Sequence, residues 1–216
     1  MKIVYQDPHM VVCVKPAGLL AQADSKGGDS AVARLETQFG SIYPVHRLDK
    51  DTGGVMVFAR TQKAAAVLSA SVQENRLEKT YLAILPNMPE QAEGELEDIL
   101  FHDRTRNRTY VVDRVRKGAK PAKLAYRVLE QLESGVLVQV RLFTGRTHQI
   151  RVQFASRKLP LLGDGKYGSK AKGPMALWAW QLRLPHPKTG EWMCFAALPP
   201  REEGFWKAYM AWPESK

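Results

Sequence analysis

Between Leu124 and Phe143 the chain holds two apolar-rich runs broken by Leu132-Glu133-Ser134-Gly135, and in the second Val136, Val138, Val140 and Leu142 alternate with Leu137, Gln139 and Arg141. A period of two places the two sets on opposite faces of an extended strand, and a short break ending in glycine folds one such strand back on the other. Further apolar runs end at turn signals. Met10-Val11-Val12-Cys13-Val14 stops at Lys15-Pro16-Ala17-Gly18, Val55-Met56-Val57-Phe58-Ala59 follows Gly53-Gly54, and Pro187-Lys188-Thr189-Gly190 joins strands around Trp178–Leu184 and Trp192–Ala197. Glu78–Leu85, which contains Tyr81, reads as one more strand.

Helical patterns intervene irregularly. Val32 with Leu35–Phe39 forms an apolar stripe after a polar loop at Gln22–Asp29. Thr61 is placed to cap a helix from Gln62 to about Asn75 whose Ala-rich centre has high helix propensity. Thr147 opens a short helix through Ala155, with Ile150 and Phe154 one turn apart on a buried face and Arg151 one residue round from it. An aromatic helix is expected at about Phe205–Trp212. The expected fold class is α+β, a mainly antiparallel mixed sheet with flanking helices, in a single domain over residues 1–216 whose weak subdomain division would fall near Asn87–Glu97.

The charge balance narrows the partners. Lys+Arg number 32 against 22 Asp+Glu, a formal +10, and the excess is densest from Arg104 to Arg127. Such a surplus attracts polyanions, of which nucleic acid is the commonest that a globular protein meets, with solubility or an acidic membrane surface as the alternative. Cys13 and Cys194 each sit in an apolar run with no Cys-x-x-Cys or Cys/His cluster, so both are expected to be buried thiols in a reducing compartment, with no disulfide framework and no metal site. The polar N-terminus and the lack of a long apolar run give no signal peptide or membrane span, and the expected location is the cytoplasm.

Pro44-Val45-His46-Arg47-Leu48-Asp49-Lys50-Asp51-Thr52-Gly53-Gly54 is a polar loop that feeds directly into a buried strand. It sets a carboxylate, Asp49, between Arg47 and Lys50, ahead of two glycines that permit a sharp turn. The residues alone leave two accounts open: Asp49 and Asp51 make hydrogen bonds that shape the turn, or Asp49 is a nucleophile. Asp51 fits the turn account better. A calcium loop is disfavoured because Arg60 stands where its twelfth-position carboxylate belongs. Asp49-Lys50-Asp51-Thr52 also matches the Asp-x-Asp-x-Thr signature of haloacid-dehalogenase-like phosphohydrolases, but no buried apolar run precedes it and no later Asp pair offers magnesium ligands.

His46-Arg47-Leu48-Asp49-Lys50-Asp51-Thr52-Gly53-Gly54 resembles the signature of the RluA-type family of RNA pseudouridine synthases. Four further segments are similar to that family in the same order. They are Ile3–Asp7 with Val12–Leu19, Lys79-Thr80-Tyr81, Thr144-Gly145-Arg146-Thr147-His148-Gln149-Ile150-Arg151-Val152, and Leu162-Gly163-Asp164-Gly165-Lys166-Tyr167-Gly168. Gly53, where many members have Ser, and Gln153, where His is usual, are departures. The N-terminal S4-like domain of many relatives is not expected, since the catalytic opening begins at residue 3.

The resemblance implies a pseudouridine synthase catalytic fold and isomerisation of uridine in structured RNA. It implies Asp49 as nucleophile, Arg151 as its paired cation, Tyr81 as the ring packed on the target base, and Arg47 as the residue filling the space a flipped base leaves. His46, Lys15, Arg146 and His148 are implied as RNA contacts. Without it, Tyr81 would be read as a core strand aromatic and Arg151 as an exposed helix charge. Phosphate contacts are expected from Lys15, Arg104–Lys123 and Lys166. The expected partner is an rRNA or tRNA stem-loop, with no cofactor, no membrane, no obligatory protein partner and a monomeric state.

Overall fold

The computed structural model describes residues 1–23 and 27–209, which form two compact units. The first comprises 1–79 and 178–199, the second 80–177 and 200–216. The division therefore falls at Lys79/Thr80, not near Asn87–Glu97 as expected from the sequence. Residues 24–26 of the expected polar loop and 210–212 of the expected C-terminal helix lie outside the described residues.

In the first unit β1 (Lys2–Gln6) pairs antiparallel with β2 (Met10–Lys15). Chain order continues with α1 (Ala31–Phe39), β3 (Tyr43–Pro44), β4 (Gly53–Ala59) and α2 (Gln62–Gln73). β2 lies antiparallel along β4 from Met10↔Ala59 to Lys15↔Gly54. The other edge of β4 is shared: β3 takes its end through Tyr43↔Ala59 and Pro44↔Phe58. All seven residues of β4 are buried, which explains its unbroken apolar run. Both helices begin where a hydroxyl can cap them, Ser30 Oγ accepting from Ala33 N–H and Thr61 Oγ1 from Ala64 N–H. α2 sets Ala64 and Leu68 into a core with Met10, Val12, Val55 and Val57.

The same unit receives most of the late strand β10 (Leu177–Pro185), which pairs antiparallel with β11 (Trp192–Ala196) and parallel with the start of β4 through Trp178↔Gly53 and Ala179↔Gly54. In chain order the strands of the second unit precede these two. β5 (Glu78–Leu85) enters it at Thr80, and β6 (Glu93–Asp103), β7 (Arg108–Val111), β8 (Ala119–Leu132) and β9 (Gly135–Leu142) complete the lateral order β5-β9-β8-β6-β7. β8 and β9 form the expected hairpin, closed at Leu132↔Gly135. α3 (Gln149–Ala155) and the 3-10 turn Gly165–Tyr167 follow.

Several expectations are corrected. β6 and β7 were not read as strands, because in Glu93–Asp103 only Leu96 and Leu100 are buried, a spacing of four that hides the period of two. The aromatic C-terminal segment forms a 3-10 turn at Gly204–Ala208 where an α-helix was expected. Cys13 is buried, and burial pushes its thiol up to about 12, whereas Cys194 is exposed. Among the described residues no helix is long and apolar enough to cross a membrane. The structural class is α+β, as expected: β4 and β10 pair parallel, while β1–β2, β2–β4, β3–β4, β10–β11, β6–β7, β6–β8 and β8–β9 pair antiparallel.

At Gly54 the backbone φ is +124°, and a Cβ there would overlap the Ala179 backbone, its carbonyl oxygen first. Gly54→Ala is therefore expected to lower unfolding free energy by roughly 2–4 kcal/mol, from backbone strain plus steric displacement. The shift in urea midpoint measures it.

Candidate active site

The loop that carries Asp49 is tied down from four sides within the first unit. Leu48 is buried, Thr52 N–H donates to Asp49 O at 3.1 Å to close a turn, and Gly18 N–H donates to Lys50 O at 2.9 Å. His46 Nε2 accepts the Val57 N–H at 3.1 Å, fastening the loop to β4. Burial, aided by the nearby Lys79 ammonium, pushes the His46 pKa down to about 3, so the ring is neutral and its proton sits on Nδ1. The geometry thus gives His46 a loop-fastening role.

Lys15 provides the fourth tie. Its side chain is fully buried, and its ammonium donates to Pro16 O at 3.0 Å, Leu19 O at 2.6 Å and Lys50 O at 3.0 Å. All three N–H donors are spent on carbonyls, so the expected phosphate contact is corrected: Lys15 holds the Pro/Gly turn against the residue that follows Asp49. Burial lowers its pKa from 10.5 to about 8, against the opposing pull of Asp51 and Asp49. Within this fixed loop Asp49 is half-buried, while Arg47 and Asp51 are exposed.

In the second unit Arg151 is buried, which overturns the reading of it as an exposed helix charge. Six consecutive residues of α3, Gln149–Phe154, are buried, so this short helix has no solvent face for it. Asp164 grips the guanidinium in a fork, Nε to Oδ2 at 2.7 Å and Nη2 to Oδ1 at 2.8 Å. The Tyr167 ring centroid lies 5.1 Å from the Arg151 Cζ and 5.2 Å from that of Arg108, so one ring faces two guanidiniums. The Tyr167 hydroxyl accepts the Thr109 N–H at 2.8 Å and lies 2.9 Å from His148 Nδ1. Asp164 and Tyr167 belong to a segment whose resemblance was visible in the sequence, but their hold on Arg151 was not read from it.

His148 is buried at the head of α3, with φ of 54°, a left-handed conformation rarely adopted outside glycine. Tyr81, on β5, is buried as well. Arg146 is partly exposed; its Nε donates to Pro121 O at 2.9 Å, and Gln149 braces its turn by accepting the Arg146 N–H and donating to Lys123 O. Asp49, Arg47, His46 and Lys15 thus belong to the first unit, and Tyr81, Arg146, His148 and Arg151 to the second.

The basic segment is less uniform than its composition suggests. The Lys123 ammonium lies 2.7 Å from both Glu95 and Glu97, and hydrogen bonding to Glu95, then Glu97, raises its pKa to about 12. Lys123 and Arg108 are therefore engaged internally, while Arg104, Arg114, Lys117 and Lys120 are exposed. Lys166 donates to Asn107 O at 2.9 Å.

Two measurements check these roles. Asp164→Asn removes the bidentate counter-charge of a buried guanidinium and is expected to lower unfolding free energy by about 3 kcal/mol, read from denaturant titration. For Lys15 the folded pKa lies below the unfolded value, so between about pH 8 and 10.5 the unfolded chain binds the extra proton and this group makes stability rise with pH. Wild type is expected to gain roughly 2 kcal/mol relative to Lys15→Met from pH 7.5 to 9.5.

Comparison with known proteins agrees with this geometry. The family described as RNA pseudouridylate synthase matches residues 9–156, a span that includes the Asp49 loop, Tyr81 and Arg151. A ribosomal large subunit pseudouridine synthase D from Nitrosomonas europaea is 35% identical over 209 residues, 88% of this chain; the chain covers 60% of that relative's length. A dual-specificity RNA pseudouridine synthase RluA from Pasteurella multocida is 35% identical over 206 residues, covering 92% of this chain and 93% of the relative. Among solved structures, human RNA Pseudouridylate Synthase Domain Containing 4 superposes with a TM-score of 0.77 at 26% identity, over 93% of this chain and 89% of that one. With the family matched across more than half its length and a relative of 35% identity aligned over nine-tenths of it, the chain belongs to the RNA pseudouridine synthase family.

Proposed function

We propose that this protein isomerises specific uridines in structured RNA to pseudouridine, with Asp49 as the group that opens the glycosidic bond. The observation that carries the proposal is the Asp49 turn: a half-buried carboxylate whose backbone is pinned by Lys15, Gly18, Thr52 and His46, positioned before a substrate arrives. Preorganisation of this kind removes the entropic cost of aligning a nucleophile.

The reaction conserves atoms and oxidation state. The C1′–N1 bond breaks, the detached uracil turns, C1′–C5 forms, and the proton first on C5 is lost as N1 gains one. Asp49 either attacks the sugar or takes the 2′ proton along a glycal route. Arg151, held by Asp164, is the fixed cation of the set, Tyr81 gives the base an aromatic face, and the exposed Arg47 takes the place of the extruded uridine. The RNA is ribosomal or transfer RNA, following the relative named for dual specificity and the one named for the ribosomal large subunit. The surplus of basic residues and the absence of a spanning helix among the described residues suit action in the cytoplasm, as a monomer on a stem-loop.

Asp49→Asn keeps the size of the side chain and removes its charge. Carbodiimide mapping of total RNA incubated with this variant should show at least about 10³-fold less modification than wild type, with RNA affinity changed less than about threefold. Undiminished modification by the variant would sink the assignment.

A further inference from the structure

The second unit holds a cleft of about 630 Å³ between the β6–β7 hairpin, the start of β8 and the Thr144–Thr147 turn, lined among others by Phe101, His102, Arg104, Lys120 and Arg146. We infer that this cleft binds one nucleobase of the RNA other than the target uridine, with His102 Nε2 accepting a hydrogen bond from it. The inference rests on the proposed action on RNA and adds a recognition subsite to it.

Hydrogen bonding fixes the chemistry of His102. His102 and Thr109 are register partners across β6 and β7. The Thr109 hydroxyl donates its only proton to Thr147 O at 2.8 Å, so its oxygen receives the bond from His102 Nδ1 at 3.0 Å. Nδ1 therefore carries the proton of the neutral ring, and Nε2 is left with a lone pair. Nε2 has no hydrogen-bond partner among the described residues and is not buried. The ring itself is held in place, meeting the buried His148 edge-on at 6.1 Å between centroids.

A lone acceptor is an odd floor for a site built only for phosphate, which presents acceptors of its own. It suits a base edge bearing N–H. The surroundings supply the other half of a nucleotide's needs: Arg104 and Lys120 for backbone charge, and the Phe101 ring with the Arg116 guanidinium Cζ 4.1 Å from its centroid as a flat cationic platform. Asp103, the single carboxylate lining the cleft, accepts the Arg106 backbone N–H and lies 3.9 Å from its guanidinium, so its charge is partly answered. The cleft volume falls within the range that accommodates a nucleotide-sized ligand.

The test uses the full chain with labelled hexanucleotides of adenosine or cytidine, which contain no uridine to be converted, and an abasic ribose-phosphate hexamer of equal charge, read by fluorescence anisotropy. Wild type is expected to bind one of the base-bearing hexamers about tenfold more tightly than the abasic one. His102→Asn keeps a donor toward Thr109 but lacks the Nε2 acceptor, and should reduce that ratio to about twofold or less. His102→Gln reaches the Nε2 position with an amide oxygen and should recover part of it. Lys120→Ala should weaken all three hexamers alike. Equal binding of the abasic hexamer by wild type, or an unchanged ratio in His102→Asn, overturns the inference. Carbodiimide mapping of total RNA treated with wild type runs in parallel and reports the proposed activity separately, so loss of one result leaves the other standing.

Discussion

The close parallel approach of Gly53-Gly54 to Trp178-Ala179 is the constraint on which the first unit depends. It joins strands more than 120 residues apart in the chain, and it leaves no room for a Cβ on either glycine. Because β4 must start at that contact, the preceding loop has only a few residues in which to turn, and Asp49 is delivered four residues ahead of the sheet. The turn is then locked through one atom: the Lys50 carbonyl accepts from both Gly18 N–H and the Lys15 ammonium. Backbone hydrogen bonds therefore fix the segment that carries the carboxylate.

Two buried cations illustrate different solutions to one desolvation problem. Lys15 hydrogen-bonds only to carbonyls, and the pull of Asp51 and Asp49 falls short of the burial cost, so its proton is held less tightly than in water. Arg151 has a full counter-charge in Asp164 and an aromatic face in Tyr167. A guanidinium does not give up its proton in this range, so Arg151 serves as a permanent, oriented charge. Lys15 serves as a peg whose charge is costly, and its value lies in the three carbonyls it draws together.

The sequence was most legible where periodicity and capping coincide. Thr61 marks its helix start, β4 reads as a buried strand from its apolar run, and the β8–β9 hairpin from its alternation. It was least legible where charge masks packing. In β6 the acidic residues Glu95 and Glu97 form an ion cluster with Lys123 from β8, a cross-strand arrangement that no local pattern announces. Arg151 and Lys15 look like surface charges by residue type, and only tertiary partners 13 residues and up to 35 residues away bury them. Asp49 was divided between turn-former and nucleophile on local grounds, and its structure shows why: it occupies a true turn, closed by Thr52 N–H, so the two readings were never exclusive.

The surplus of basic residues separates in the structure into two populations with different work. Lys15, Arg108, Lys123 and Arg151 spend their charge on carbonyls, carboxylates and an aromatic ring within their own units. Arg104, Arg114, Lys117 and Lys120 stay exposed on the segment around β7 and the start of β8. Exposed cations such as these can draw in a polyanion, and such attraction is blind to sequence. Discrimination among RNAs must then come from groups with direction as well as charge. In the second unit the His102 and Thr109 pair on β6 and β7 reaches the Thr144–Thr147 turn through Thr147 O, and Gln149 braces that same turn at the Arg146 N–H. Shifting that turn would therefore also disturb α3, which begins at Gln149, and with it the buried Arg151.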